Sequence, residues 1–382
     1  MRGRKRLGQV ILLLAVFLFA PVAVLRFFAL FWLLLLGTNQ FYITYMSRHI
    51  RIIRKDPVLR AYKNQNTHIE LEVINTARLP LYNGILSDTT GSLDPNSLCR
   101  LRLDMRRRSR RIISYPLRPR ERGQWTLGPA KLTIRDVLGL EEDLYEQEDT
   151  TTVIVYPEIF PLPYKAYDGY PLGTIKTKHI LHEDPSRYRA LREYQQGDEL
   201  RRINWKASAH SGSLITNVYE SSIDVPLLVL LNLSIPAFPL KNQYIYAERY
   251  IEYGASLVSS ASLLDQSVGC ISTGIIAEAG SPLRIEPGRE HRLSILDSLA
   301  RITLSEKADY SLFIEALQRL PYRSRVCYVG PAVIDMIIEL FILTALKGGE
   351  FLVYCIAPKQ EDLEALHQKG IPVIEMETEK HG

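Results

Sequence analysis

The sequence predicts a multidomain protein: an N-terminal transmembrane helical hairpin, an antiparallel β-sandwich, then an α/β doubly wound domain. Three observations predict it. Two uncharged apolar runs, Leu7–Leu25 and Phe27–Met46, stand almost end to end near the N-terminus. Short alternating segments broken by Gly, Pro, Asn and Asp follow as far as Tyr156. From Val225 onward, apolar strand-like runs alternate with helical ones. The composition, 46% hydrophobic and 23% charged over 382 residues, suits folded sequence with a short membrane segment and excludes a disordered chain.

Each uncharged run is just long enough to span a bilayer. No small-x-small cleavage site followed by a soluble start appears, so a retained anchor is expected rather than a cleaved signal peptide. Basic residues flank the pair on both sides, Arg2, Arg4, Lys5 and Arg6 before it and Arg48, Arg51, Arg54 and Lys55 after it. The positive-inside rule then places both flanks, and residues 56–382, in the cytoplasm of a multi-pass cell-membrane protein with a turn near Pro21–Arg26. One long tilted span, which would put them outside, fits the symmetrical charge less well. The polar patch Gly37-Thr38-Asn39-Gln40 in the second run reads as helix packing within the hairpin.

Thr67–Asn75 alternates strictly. Leu81–Ser87, Leu98–Leu103, Arg110–Leu117, Gln124–Leu127 and Thr151–Tyr156 follow at the spacing of an antiparallel sandwich. The run Arg106, Arg107, Arg108, Arg110 and Arg111 is either a solvated hairpin tip or a contact with anionic lipid below the membrane hairpin. Net charge is +5, but the basic residues lack the aromatic interleaving of a nucleic-acid surface, and no nucleic-acid partner is expected. The four cysteines, Cys99, Cys270, Cys327 and Cys355, form no CxxC pair; buried free thiols in a reducing compartment are expected.

Pro157–Pro171 is a proline- and aromatic-rich connector. The domains are therefore 1–55 (helices at about 7–25 and 27–46), 56–160, a linker and charged motif at 161–224, and 225–382. In the last, strands are expected at Val225–Leu231, Gly269–Ile276, Arg325–Val329, Phe351–Ile356 and Ile371–Glu375. Helices are expected at Tyr244–Leu264, Arg289–Arg301, Tyr310–Leu320, Ala332–Leu346 and Gln360–Lys369. Ala247, Ile251, Ala255, Val258 and Ala261 share one helical face and read as core. Ala332–Leu346 is too short and too charged, with Asp335 and Glu339, to be a third span.

The densest motif is Arg187–Glu220. A turn at Gln196–Glu199, in which Asp198 can cap backbone N–H groups, precedes a strand-like segment Leu214–Tyr219. Arg192, Tyr194, Gly197, Asp198, Arg201, Trp205 and Lys206 are the candidate partner-binding residues, because Trp and Arg are enriched in interface anchors. The plainer reading is a domain joint closed by Trp205, Ile203 and Leu191, with Arg192 paired to Asp198 or Glu193. No nucleophile elbow, zinc-protease helix or phosphate loop is present, and no enzyme is expected. His179, His182, Glu183 and Asp184 have no common metal-site spacing and read as solvated linker.

The series Arg192-Glu193-Tyr194, Gly197-Asp198, Arg202-Ile203-Asn204-Trp205 and Ser208-Ala209 resembles the signature of the DUF58 family. Tyr115–Leu140 resembles the same family's strand and Asp-Pro-Phe-Gly-Leu-like corner, with departures at Val137 and Leu138. The final domain resembles a von Willebrand factor A domain. The metal loop of that fold, Asp-x-Ser-x-Ser, corresponds here to Asn232, Ser234 and Pro236, a degraded version without its carboxylate, so no metal or other cofactor is expected; Thr273 and Asp297 are remote candidates. The resemblance to DUF58 implies partnership with a MoxR-type AAA+ ATPase, and with a transglutaminase-like membrane protein, in assembly or maturation of envelope components. It thus points to a membrane-anchored, non-catalytic adaptor. A membrane-bound hydrolase or metal-dependent enzyme of envelope metabolism, and a structural subunit of a membrane complex, are the alternatives.

Overall fold

The computed structural model describes residues 2–19, 21–89, 93, 99–135, 142–146, 148–162, 175–176, 183–195, 200, 203–223, 225–239, 241–263 and 266–377. They form two compact units, residues 1–156 and 157–382.

The first unit opens with α1 (Arg2–Phe19) and α2 (Ala23–His49). The helix break comes earlier than expected. Pro21, which has no N–H to donate, lies in the bend, and the chain is helical again from Ala23, so Leu25 and Arg26 belong to α2. Among the described residues α2 is the one helix long and apolar enough to cross a membrane; the apolar part of α1, Val10–Phe19, is shorter. Inside α2, Thr38 donates to the Leu35 carbonyl and Gln40 Nε2 to the Thr44 hydroxyl.

Ten strands follow. β1 (Ile50–Arg54), β3 (Thr67–Asn75) and β6 (Ser109–Leu117) form one sheet, in the order β1-β3-β6. β4 (Leu81–Asp88), β5 (Cys99–Met105), β8 (Ala130–Arg135) and β9 (Glu142–Glu146) form a second, in the order β5-β4-β8-β9. β2 (Val58–Tyr62), β7 (Gly123–Leu127) and β10 (Thr151–Tyr156) form a third. The expectation of purely antiparallel pairing fails here, because β10 runs parallel to β2. Alternation explains the burial. Ile69, Leu71 and Val73 of β3, Tyr115 and Leu117 of β6, Leu132 and Ile134 of β8, and Val153 and Val155 of β10 turn their side chains into one shared core.

In the second unit β11 (Ile175–Lys176), β12 (Glu183–Glu193) and β13 (Ile215–Ile223) make a small sheet. β12 occupies sequence expected to be the end of the linker and the start of the charged motif. The remaining strands are β14 (Leu227–Leu231), β15 (Val268–Ile276), β16 (Ser281–Gly288), β17 (Ile302–Thr303), β18 (Arg325–Val329), β19 (Glu350–Ile356) and β20 (Val373–Met376). They form a sheet in the order β16-β15-β14-β18-β19-β20, with β17 beside β15. Its centre is parallel, and β16 and β17 pair antiparallel with β15. β16 was not expected from sequence.

The helices are α3 (Trp205–Ser211), α4 (Gln243–Leu263), α5 (Arg292–Arg301), α6 (Ser311–Arg319), α7 (Ile334–Leu346) and α8 (Gln360–Gln368). Leu228 and Leu230 join Phe313 of α6, Ile337 and Leu340 of α7 and Leu366 of α8 in one core. Val229 and Leu231 face the other way, toward Gly254 of α4. The expected face of α4 is buried, and so are Tyr250, Glu252, Tyr253 and Leu257. Part of that extra cover comes from the connector. Phe160 donates its N–H to Ser256 at 3.2 Å and meets the Tyr253 ring edge-on, and Arg249 lies over both rings while pairing with Glu252 at 3.0 Å.

Candidate functional site

Two places merit attention: the crevice at the carboxyl ends of the parallel strands, and the charged motif around α3.

The strand order reverses between β14 and β18, where doubly wound sheets place their ligands. Asn232 follows β14 there and is fully buried. Its Nδ2 donates to the Tyr328 hydroxyl at 2.9 Å, which donates onward to the Pro331 carbonyl at 2.7 Å. Its Oδ1 accepts from the Ser234 N–H at 3.1 Å and from the Thr273 hydroxyl at 3.3 Å, and Thr273 Oγ1 accepts from the Leu233 N–H at 2.8 Å. Gly330 is required at this crossing, since a Cβ there would come within 2.7 Å of the Asn232 Cβ. Burial pushes the Tyr328 phenol well above its usual range, so the hydroxyl stays a donor.

This arrangement does not fit a divalent cation. Such an ion takes carboxylate and other oxygens turned toward it, whereas the Asn232 amide is turned to a tyrosine and its oxygen already accepts twice. Ser234 Oγ is buried without a partner among the described residues, and Pro236 is exposed in a short 3-10 turn. Of the two remote candidates, Thr273 joins the network; Asp297 sits on α5, its carbonyl accepting from Arg301 Nε at 3.0 Å. Among the described residues no cluster of His, Cys, Asp and Glu could hold a metal. Near this network opens a cleft of about 460 Å³ lined by Phe238, Tyr246, Tyr250, Pro331, Lys359 and Asp362, among others. Tyr328 and Tyr250 were missed by sequence reasoning, although a tyrosine inside a run as apolar as Arg325–Val329 was the available signal.

The motif around α3 divides into a buried support and an exposed face. Asn204 caps α3 by accepting from the Ala207 N–H at 3.0 Å, and its Nδ2 reaches Asn217 of β13 at 3.0 Å. The buried Ser208 hydroxyl donates to the Asn204 carbonyl and accepts from the Ile215 N–H, both at 2.8 Å. Gly212, at φ 74°, ends the helix in the left-handed conformation that glycine adopts without strain. Ile203 is buried, but Trp205 is 68% exposed and Lys206 is exposed beside it. Leu191 is exposed as well. Tyr194 is half-buried with its N–H on the Leu214 carbonyl, and Arg192 donates to the carbonyl of Glu193. Gly197, Asp198, Arg201 and Arg202 lie outside the described residues, as do His179 and His182; Glu183 and Asp184 open β12.

Residues 190–340 match the family described as "Protein of unknown function DUF58". A DUF58 domain spans them. It runs from the end of β12 into α7 and so contains α3 with its supporting residues and the Asn232 hydrogen-bond network. The chain is also 27% identical over 190 residues to "Uncharacterized protein YeaD" of Bacillus subtilis (strain 168). That alignment covers 49% of this chain and 45% of the relative, so the chain spans less than half of the relative's length. Among solved structures, the CARDB domain of PF1109 from Pyrococcus furiosus is 12% identical, with 28% of this chain and 94% of that one covered and a TM-score of 0.22. The C-terminal domain of wzt is 13% identical, with 29% and 72% covered and a TM-score of 0.20. Likenesses this weak carry no inference.

The five arginines expected at a hairpin tip divide in the structure. Arg106, Arg107 and Arg108 form the exposed turn between β5 and β6, with Arg108 at φ 47°. Arg110 and Arg111 belong to β6, the first paired with Glu72 and the second donating to the Asp104 carbonyl at 3.4 Å. Cys270, Cys327 and Cys355 are buried free thiols, each pushed up to about 12 by burial.

Proposed function

We propose that the protein is a membrane-anchored, non-catalytic adaptor whose DUF58 domain presents the α3 motif to a MoxR-type AAA+ ATPase. The observation that carries it is the exposed Trp205 on a helix fixed from below by Asn204 and Ser208. A large amphipathic ring on a rigid support, with Lys206 beside it, has the character of an interface anchor. The C-terminal sheet is a von Willebrand factor A-like scaffold whose metal loop has become a neutral hydrogen-bond network. Nothing in that network is a base or a nucleophile with an orienting partner, which argues against hydrolysis there. The membrane anchor is a hairpin of α1 and α2, with the β-sandwich and the DUF58 domain in the cytoplasm. A transglutaminase-like membrane protein is a second partner, and both partners rest on the family resemblance.

Crosslinking in native membranes followed by purification of the tagged full-length chain tests the reading. Wild type is expected to retain the AAA+ ATPase, and folded Trp205→Ala and Arg201→Ala variants to lose it. Retention by both variants would remove the motif from the contact. Absence of any ATPase, under conditions that trap other membrane proteins, would favour a structural subunit.

A further inference from the structure

We infer that the β3–β4 loop and the β5–β6 hairpin tip form a binding site for anionic phospholipid headgroups, held at the membrane exit of α2. This rests on the reading of α2 as a membrane span. From Ala23 to Phe41 the helix is about 28 Å long at ~1.5 Å per residue, close to the ~30 Å hydrocarbon thickness.

Beyond Phe41 the helix is no longer free. Met46 is fully buried in the β-unit core, with Tyr42 and Tyr45 packed against it. The Tyr42 hydroxyl donates to the Pro80 carbonyl at 2.9 Å and accepts from the Tyr82 N–H at 3.2 Å. The Tyr45 hydroxyl accepts from the Arg78 N–H at 3.3 Å. The last turns of α2 are thus bonded to the β3–β4 loop, and tyrosines at this depth match the aromatic belt of a membrane interface. The loop in turn holds the hairpin tip. Asn75 Nδ2 donates to the carbonyls of Leu79 at 3.1 Å and Arg106 at 3.0 Å, and the Arg108 N–H donates to the Ala77 carbonyl at 3.1 Å.

This chain of bonds brings Arg78, Arg106, Arg107 and Arg108 to the helix exit, all exposed and, among the described residues, without an ion-pair partner. Leu79 and Tyr82 are exposed beside them. Basic side chains around a few apolar ones suit the headgroup region of an anionic leaflet. Arg110 and Arg111, already engaged on β6, are outside the site.

The test uses the full-length protein in vesicles of phosphatidylcholine with or without phosphatidylglycerol. The readout is enrichment of spin-labelled phosphatidylglycerol over phosphatidylcholine around the protein. Replacing Arg78, Arg106, Arg107 and Arg108 together by Gln is expected to remove most of the enrichment, while Arg110→Gln with Arg111→Gln leaves it in place. Unchanged enrichment in the fourfold variant, or equal loss in both, overturns the site. Carbonate extraction separates this from the anchor. Wild type that resists extraction but shows no enrichment sinks the lipid site alone, whereas wild type released by carbonate removes the membrane reading with it.

Discussion

Arg54 and Asp88 meet at 2.6 Å inside the first unit, their side chains 3% and 0% exposed. Arg54 ends β1 and Asp88 ends β4, so the pair joins two sheets. Tyr115 donates to the other Asp88 oxygen, and Arg54 Nε donates to the Asp149 carbonyl at 3.1 Å. Gly128 leaves the room, since a Cβ there would lie 2.6 Å from Arg54 Nη2.

Removing one member of a buried pair strands the other charge. Asp88→Ala or Arg54→Met should each destabilise by about 3–5 kcal/mol, and the double variant by clearly less than the sum. Thermal unfolding of the detergent-solubilised chain, arranged as a double-mutant cycle, checks this. Additive losses would mean that the two groups do not sense each other.

Asn232→Asp replaces a donor to Tyr328 with a carboxylate, while the Tyr328 proton is already given to Pro331. The loss should be about 3 kcal/mol at neutral pH. A carboxyl buried this way has a raised folded pKa, so its protonated form is favoured and the loss shrinks as pH falls. Urea unfolding at several pH values, with and without magnesium, reads this out. Full rescue by the metal would show that the loop retains a cation geometry after all.

Trp205→Ala should leave stability within about 0.5 kcal/mol of wild type, as expected for an exposed side chain. Asn204→Ala removes a helix cap and should cost about 1 kcal/mol. Ser208→Ala leaves the Ile215 N–H without its acceptor and should cost about 1–3 kcal/mol. A large loss of stability in Trp205→Ala, by the same unfolding assay, would return the ring to a structural role.

The buried thiols give the second unit an alkaline limit. Unfolded cysteine ionises near 8.5, but Cys270, Cys327 and Cys355 are held protonated until about 12. Their contribution is therefore complete below about pH 8.5 and is lost as pH rises toward the folded values, by up to roughly 1.4 kcal/mol per pH unit for each thiol. Urea midpoints at rising pH should fall, and less steeply in Cys327→Ala. A thiol reagent at neutral pH should leave these three untouched until the chain unfolds.

β3, β10 and β18 lie where their sequences place them, because strict alternation or an unbroken apolar run identifies a strand without outside help. β16 escaped notice because Ser281–Gly288 mixes polar and apolar residues without strict alternation and includes two prolines, a pattern that reads as loop until β15 pairs with it. β12 was hidden for a similar reason: its charged sequence needs the β13 partner to become a strand. In the motif, sequence singled out Trp205, but the division of labour between it, Asn204 and Ser208 depends on where β13 lies.

Local pattern sufficed for an apolar helix near the N-terminus, for the alternation of strands and helices after Val225, and for a loop at Asn232 without a carboxylate. Each of these depends on neighbours within a turn or a strand. Tertiary folding was needed to turn the last turns of α2 into part of a β-unit core and to set Tyr328 against Asn232, 96 residues away in the chain. Such contacts follow from which strands pair and in what register, and a linear pattern does not contain that information.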